Sequence, residues 1–167
     1  KLNGRESRPV IETKQRLCEL LFAAGQRDKS LELRGDVLKL SARVYGVESP
    51  DTVRHAREMV DALYAAGRAQ ESEDLIGQYL PICKRVLGND HQVTGEFYSS
   101  LGLVLDALGR TKEAIQAWRE AVELNPNWGR IQFWLGKALV DHAARHPEIV
   151  GLTADLAKYT DLHLFAQ

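Results

Sequence analysis

The sequence predicts an all-α fold, a solenoid of about four antiparallel helix pairs, and three observations carry that prediction. Apolar residues recur at helical spacing almost everywhere, and no segment alternates as a half-buried strand would. The corner LFAAGQRDKS at residues 21–30 returns as LYAAGRAQES at 63–72 and LDALGRTKEA at 105–114, so that Gly25, Gly67 and Gly109 stand 42 residues apart. Breakers divide the rest of the chain into paired helical stretches. A single helix pair cannot bury its apolar face alone, so a fixed period of pairs implies that each stacks on the next.

Each element has its own start and stop. Pro9 opens a first helix running to Ala24, and Gly25 ends it by taking the left-handed conformation. A second helix covers Asp28 to Tyr45. Ser49 caps and Pro50 begins a third, which stops at Gly67. The fourth spans Ala69 to Leu87 and contains Pro81; the residue four back is Gly77, which has no side chain to obstruct adjustment, so this helix is expected to be kinked but continuous. Asn89-Asp90 are expected to cap a fifth helix, His91 to Leu108, and Thr111 a sixth with Glu113 in its first turn, closed by Asn125-Pro126. A seventh runs from Asn127 to Arg145, and after His146-Pro147 an eighth covers Pro147 to Leu164. Residues 1–8 read as a tail or linker and 9–167 as a single domain of four repeats, at 11–52, 53–94, 95–128 and 129–164.

Composition narrows the class of function. The chain has 167 residues, 44% hydrophobic and 27% charged, ordinary values for a globular domain able to bury a core without metal or disulfide staples. Its formal net charge of −1 supplies no field to attract nucleic acid or anionic lipid, so neither is expected as a partner. Cys18 and Cys83 are isolated on helical patterns, which reads as two reduced thiols in a cytoplasmic protein. No apolar run approaches the roughly 18 residues of a membrane span, and the N-terminal stretch lacks the apolar region of a signal peptide. Because the sequence begins on Lys1, it reads as a segment of a longer protein.

Residues 95–128 carry Tyr98, Leu101-Gly102, Leu105, Gly109, Ala114, Trp118, Ala121 and Pro126. That order resembles the tetratricopeptide repeat: an aromatic, Leu-Gly, a large residue, the corner Gly, Ala, an aromatic, Ala and a closing Pro. Gly102 and Ala114 are small where the two helices would cross, and Leu101, Leu105 and Trp118 fill the space around them. The second unit places Met59, Val60, Leu63, Gly67, Ser72 and Ile76 at matching positions, and the first Leu17, Cys18, Leu21, Gly25 and Ser30. In the fourth, Leu135-Gly136 and Leu139 match, but Ala143 replaces the corner Gly. The 42-residue length of the first two units, with the loops YGVESPD and LGNDHQ, resembles the kinesin-light-chain type of repeat. The resemblance implies a right-handed superhelix.

It also implies that the first helix of each pair lines a concave face holding an extended peptide or a partner helix. On the third helix the exposed stripe is Arg54, Arg57, Asp61 and Tyr64. Stepping by the repeat gives Glu96, Ser99, Leu103 and Asp106, then Arg130, Phe133, Lys137 and Val140; stepping back gives Glu12, Gln15, Glu19 and Phe22. The basic members, with Tyr64, Phe133 and Leu103 as apolar footholds, suit a protein or peptide carrying acidic groups around an apolar anchor. Charges on a helix face can equally pair with one another. No stripe holds an Asn, which departs from repeats that clamp a terminal carboxylate.

Other chemistry is set aside. His142 and His146 have i, i+4 spacing, but His146 precedes Pro147 and no third ligand stands at sensible spacing, so neither metal nor cofactor is assigned. His55, His91 and His163 are scattered and read as surface or packing residues. There is no phosphate-binding glycine loop and no nucleophile with a placed base, so no catalytic residue is assigned. The sequence thus describes a non-enzymatic interaction scaffold, with a regulatory or oligomerisation module of a larger enzyme or transcription regulator as the alternative. The last helix is apolar over much of its surface, from Ile149 to Phe165, and needs cover from a continuing chain or from a second copy in a homodimer.

Overall fold

The computed structural model of the chain describes residues 7–127 and 129–145, with the side chains of 130 and 141–145 outside that description. The described residues form seven helices and no strand: α1 (Arg8–Ala23), α2 (Arg27–Tyr45), α3 (Pro50–Ala65), α4 (Ala69–Leu87), α5 (Gln92–Ala107), α6 (Thr111–Leu124) and α7 (Gly129–Arg145). The expected eighth helix, and the dimer contact placed on it, lie outside the described residues, as do His146 and Trp128. Two compact units divide the chain, Lys1–Thr94 and Gly95–Gln167, and their boundary falls between the second and third repeats.

In the first unit α1 packs on α2, α2 on α3 and α3 on α4. The corners explain the first and third contacts. Gly25 and Gly67 have φ of 76° and 74°, a region that costs glycine nothing. Each corner then closes with the same pair of hydrogen bonds. Gly25 N donates to Phe22 O at 3.0 Å and Gln26 N to Leu21 O at 2.9 Å; Gly67 N donates to Tyr64 O and Arg68 N to Leu63 O, both at 2.9 Å. This is the Schellman arrangement, which satisfies the last carbonyls of one helix while turning the chain. Across the crossing, Ser30 Oγ donates to Cys18 O at 2.8 Å and Ser72 Oγ to Val60 O at 2.9 Å. The serines are therefore more than small residues: each spends its hydroxyl inside the pair, where an unpaired one would be costly. Ile11, Cys18, Val37 and Leu40 form the core of the first pair.

The loops between pairs also repeat. Gly46 and Gly88 have φ of 89° and 104°, and six residues later the buried Thr52 and Thr94 each return a hydroxyl to the glycine carbonyl at 2.8 Å. Ser49 caps α3 as expected, accepting from Asp51 N at 3.3 Å. For α5 the expectation fails. The acceptor is His91 Nδ1, 3.1 Å from Val93 N, and not Asn89 or Asp90, which lie in the turn. Helix α4 runs through Pro81 without interruption.

In the second unit α5 and α6 meet where Gly102 faces Trp118. A methyl group at Gly102 would stand 2.3 Å from the indole Nε1, so the approach requires glycine. Trp118, Ala114, Ala117, Ala121, Leu105, Leu135, Ala138 and Leu139 belong to one core, and α6 packs on α7. Full burial of a ring such as Trp118 contributes about 1.5–3 kcal/mol or more. Thr111 is the first residue of α6 and not its cap; that position belongs to Arg110, which makes no side-chain cap bond and instead pairs with Glu113. Helix α7 covers Gly129–Arg145 among the described residues.

Candidate functional site

Repeats of equal pitch set neighbouring first helices side by side, and in the first unit α1 and α3 leave a groove of about 390 Å³ between them. Gln15, Glu19 and Phe22 line it from α1, and Arg57, Glu58, Asp61, Ala62 and Ala65 from α3; Arg34 reaches in from α2. Phe22 is 51% exposed, with the Arg27 guanidinium 5.9 Å from its ring centroid. Its place follows from the corner, because Phe22 is the residue whose carbonyl receives the Gly25 amide. Ala62 and Ala65 leave room beside it. The charges are paired: Arg57 Nη1 lies 2.7 Å from Asp61 Oδ2, and Arg34 Nη1 lies 3.5 Å from Glu58 Oε2.

Of the residues expected to contact a partner, Arg57 and Asp61 line this groove, as do the α1 residues Gln15, Glu19 and Phe22. Arg54 is exposed and held by Asp51 at 3.3 Å, and Tyr64 is half-buried; neither lines the groove. Sequence reasoning missed Arg34, Glu58, Ala62 and Ala65. It confined the site to one stripe per helix, while the groove also takes the α3 positions next to that stripe and one long side chain from α2.

The second unit has a smaller cleft of about 300 Å³, lined by Asp106, Gly109, Thr111, Trp118, Trp134, Lys137 and Ala138. It brings together Asp106 and Lys137 from the expected set, and Thr111 Oγ1 donates to Asp106 Oδ1 at 3.4 Å. Leu103, expected to be a free apolar foothold, packs partly buried against the core, and Glu96 and Ser99 are half-buried. Phe133 is 63% exposed and meets Trp134 edge-on, with centroids 5.7 Å apart at 72°. The Arg130 side chain lies outside the described residues.

The Cys18 thiol is pushed up, chiefly by burial, the opposite of what a nucleophile needs. His55 is buried, shares a 2.6 Å hydrogen bond with Ser41 Oγ through Nδ1, and is held below its usual value by that burial. It is a packing histidine and not a surface one. Among the described residues no group of three or more His, Cys, Asp or Glu could hold a metal ion, and no helix is long and apolar enough to cross a membrane.

The comparisons agree with this geometry. The family model described as tetratricopeptide repeat matches residues 55–127. Residues 55–127 thus carry the tetratricopeptide repeat, and the fold of the chain is similar to that of kinesin-light-chain-type repeat solenoids. A putative kinesin light chain with nearly identical repeats, from Podosopora anserina, is 19% identical, with a TM-score of 0.73 over 99% of this chain and 82% of that one. BtubC (BKLC) from P. vanneervenii is 16% identical, with a TM-score of 0.73 over 89% of this chain, which spans 62% of that protein's length. MamA is 20% identical, with a TM-score of 0.62 over 89% of this chain and 73% of that one. No curated protein sequence matches this chain.

Proposed function

We propose that the chain is a non-catalytic protein-interaction module that holds an extended segment of a partner protein along its first helices. The observation that carries this reading is the groove between α1 and α3: an exposed phenylalanine beside two alanines, rimmed by charged side chains, on the helices that the repeat sets next to each other. Such a combination of apolar anchor and polar rim is what interfaces use, the anchor for energy and the rim for register. Phe133 on α7 supplies a further exposed aromatic on the stripe expected to face the partner. Arg57 and Asp61 are assigned rim roles in the same reading; Arg54 and Tyr64 stand on α3 outside the groove lining, and Asp106 and Lys137 belong to the separate cleft of the second unit.

A display selection of random peptides against the purified chain tests it. Selected peptides are expected to lose at least about tenfold in affinity when Phe22→Ala removes the anchor, a truncation of the size found at interface centres. Phe22 is exposed, so its loss leaves the fold intact. Peptides that bind Phe22→Ala, Arg57→Ala and Phe133→Ala as well as the unaltered chain would place the binding surface elsewhere.

A further inference from the structure

Resting on that groove, we infer that its occupant is a segment carrying a lysine or arginine next to an aliphatic or aromatic side chain, the cation going to Glu19 and the apolar group to Phe22, Ala62 and Ala65. The basis is which lining charges are already matched. Arg57 is held by Asp61 at 2.7 Å and Arg34 by Glu58 at 3.5 Å, and both arginines are largely covered, with 24% and 21% of their side-chain surface exposed. Glu19 is exposed, lines the same groove and has no hydrogen bond or ion pair among the described residues. The lining set thus holds two matched pairs and one unmatched carboxylate. Arg27 stands over the Phe22 ring and does not line the groove.

Among the residues lining the groove, an incoming anion would have to take Arg57 from Asp61 or Arg34 from Glu58, leaving a carboxylate to find a new partner at a half-covered site; Arg27, outside the lining, is engaged with the Phe22 ring. An incoming cation meets Glu19 with nothing to displace, and sits near Glu58 and Asp61 as well. Complementarity of this kind sets partner choice more than raw affinity. The expectation of an acidic ligand counted Arg57 as available; its ion pair removes that reason in this groove.

The test uses the whole chain and three fluorescein-labelled 12-residue peptide mixtures, randomised around a central Leu-Lys, Leu-Glu or Leu-Gln, read by fluorescence anisotropy. The Leu-Lys mixture is expected to bind about tenfold tighter than the Leu-Glu mixture, the scale of one charge-assisted hydrogen bond. Glu19→Gln is expected to erase most of that preference and Glu19→Lys to reverse it; both changes are on an exposed helix face and leave the fold in place. A Leu-Glu mixture that binds the unaltered chain best, or an order unchanged by Glu19→Lys, overturns the inference. If that acidic binding is lost in Phe22→Ala, the groove reading survives and only the charge assignment falls. Absence of binding by all three mixtures, or binding indifferent to both Phe22→Ala and Arg57→Ala, removes both.

Discussion

A methyl group at Gly102 would meet three atoms of the Trp118 indole within 2.6 Å, and neither the ring nor the helix crossing can yield by that much. Gly102→Ala is therefore expected to lower stability by about 1–3 kcal/mol, the range for overpacking a filled core. Gly35 is the contrast. It too lies inside a helix, but a Cβ there would find only Met59 Cε at 3.8 Å, an ordinary contact. Gly35→Ala should then raise stability by about 0.5–1 kcal/mol through helix propensity alone. Urea unfolding of the two variants checks both signs, and equal effects would mean that the crossing at Gly102 is not as tight as it stands here. The order Leu-Gly with Ala and Trp beyond the corner made Gly102 readable from sequence. Gly35 carries no such signal, because nothing in a lone sequence distinguishes a glycine needed for contact from one that is merely tolerated.

Helices were legible because two independent signals coincided at each end, an apolar period and a breaker. Caps were less so, for a physical reason visible in the corners. Arg110 closes one helix by donating its N–H to Leu105 O, and its own carbonyl already accepts from Ala114 N at 3.0 Å to open the next. The corner is so short that Thr111, a cap by residue type, has already entered α6. In the longer loop, Gly88 at φ 104° starts a turn that consumes Asn89 and Asp90 and delivers His91 to the helix end. Residue type favoured Asn and Asp; loop geometry decided for His. The first-turn threonines that bond back to these loops carry no such signal, although Thr52 and Thr94 repeat at 42 residues with the glycines they bond. Thr52→Val keeps the shape and removes the hydroxyl, and is expected to cost about 1 kcal/mol, the net worth of one such hydrogen bond. Thermal unfolding measures it; a cost near zero would mean that water replaces the bond to Gly46.

For the whole molecule, the repeat period placed Gln15, Glu19, Phe22, Arg57 and Asp61 on helix faces that line one groove, and placed Tyr64 and Leu103 on faces that are partly buried. Which of the charges on those faces stay available was not readable from the period, because the bonds of Arg57 to Asp61 and Arg54 to Asp51 depend on rotamers that spacing leaves open. The same holds for buried polar groups, whose titration couples to unfolding of the chain. His55 is covered between the first two repeats and bonded to Ser41, while one period on the sequence has Cys83 and Phe97 in place of Ser41 and His55. Burial lowers its pKa from 6.5, so the unfolded chain binds the proton more readily than the folded one. Stability from the neutral imidazole is therefore complete above about pH 6.5 and is lost as pH falls below it toward the folded value. The carboxylates held by Arg68 and Arg110, Glu71 and Glu113, are displaced downward from 4.5 and titrate below this window. The urea midpoint should accordingly stay level from pH 8 to 7 and decline between pH 6.5 and 5. The double variant Ser41→Ala/His55→Phe, which removes both partners and leaves neither polar group stranded, should decline less over the same interval. An identical decline in the two proteins would show that His55 is protonated without penalty in the folded chain and that its hydrogen bond to Ser41 tolerates the charge.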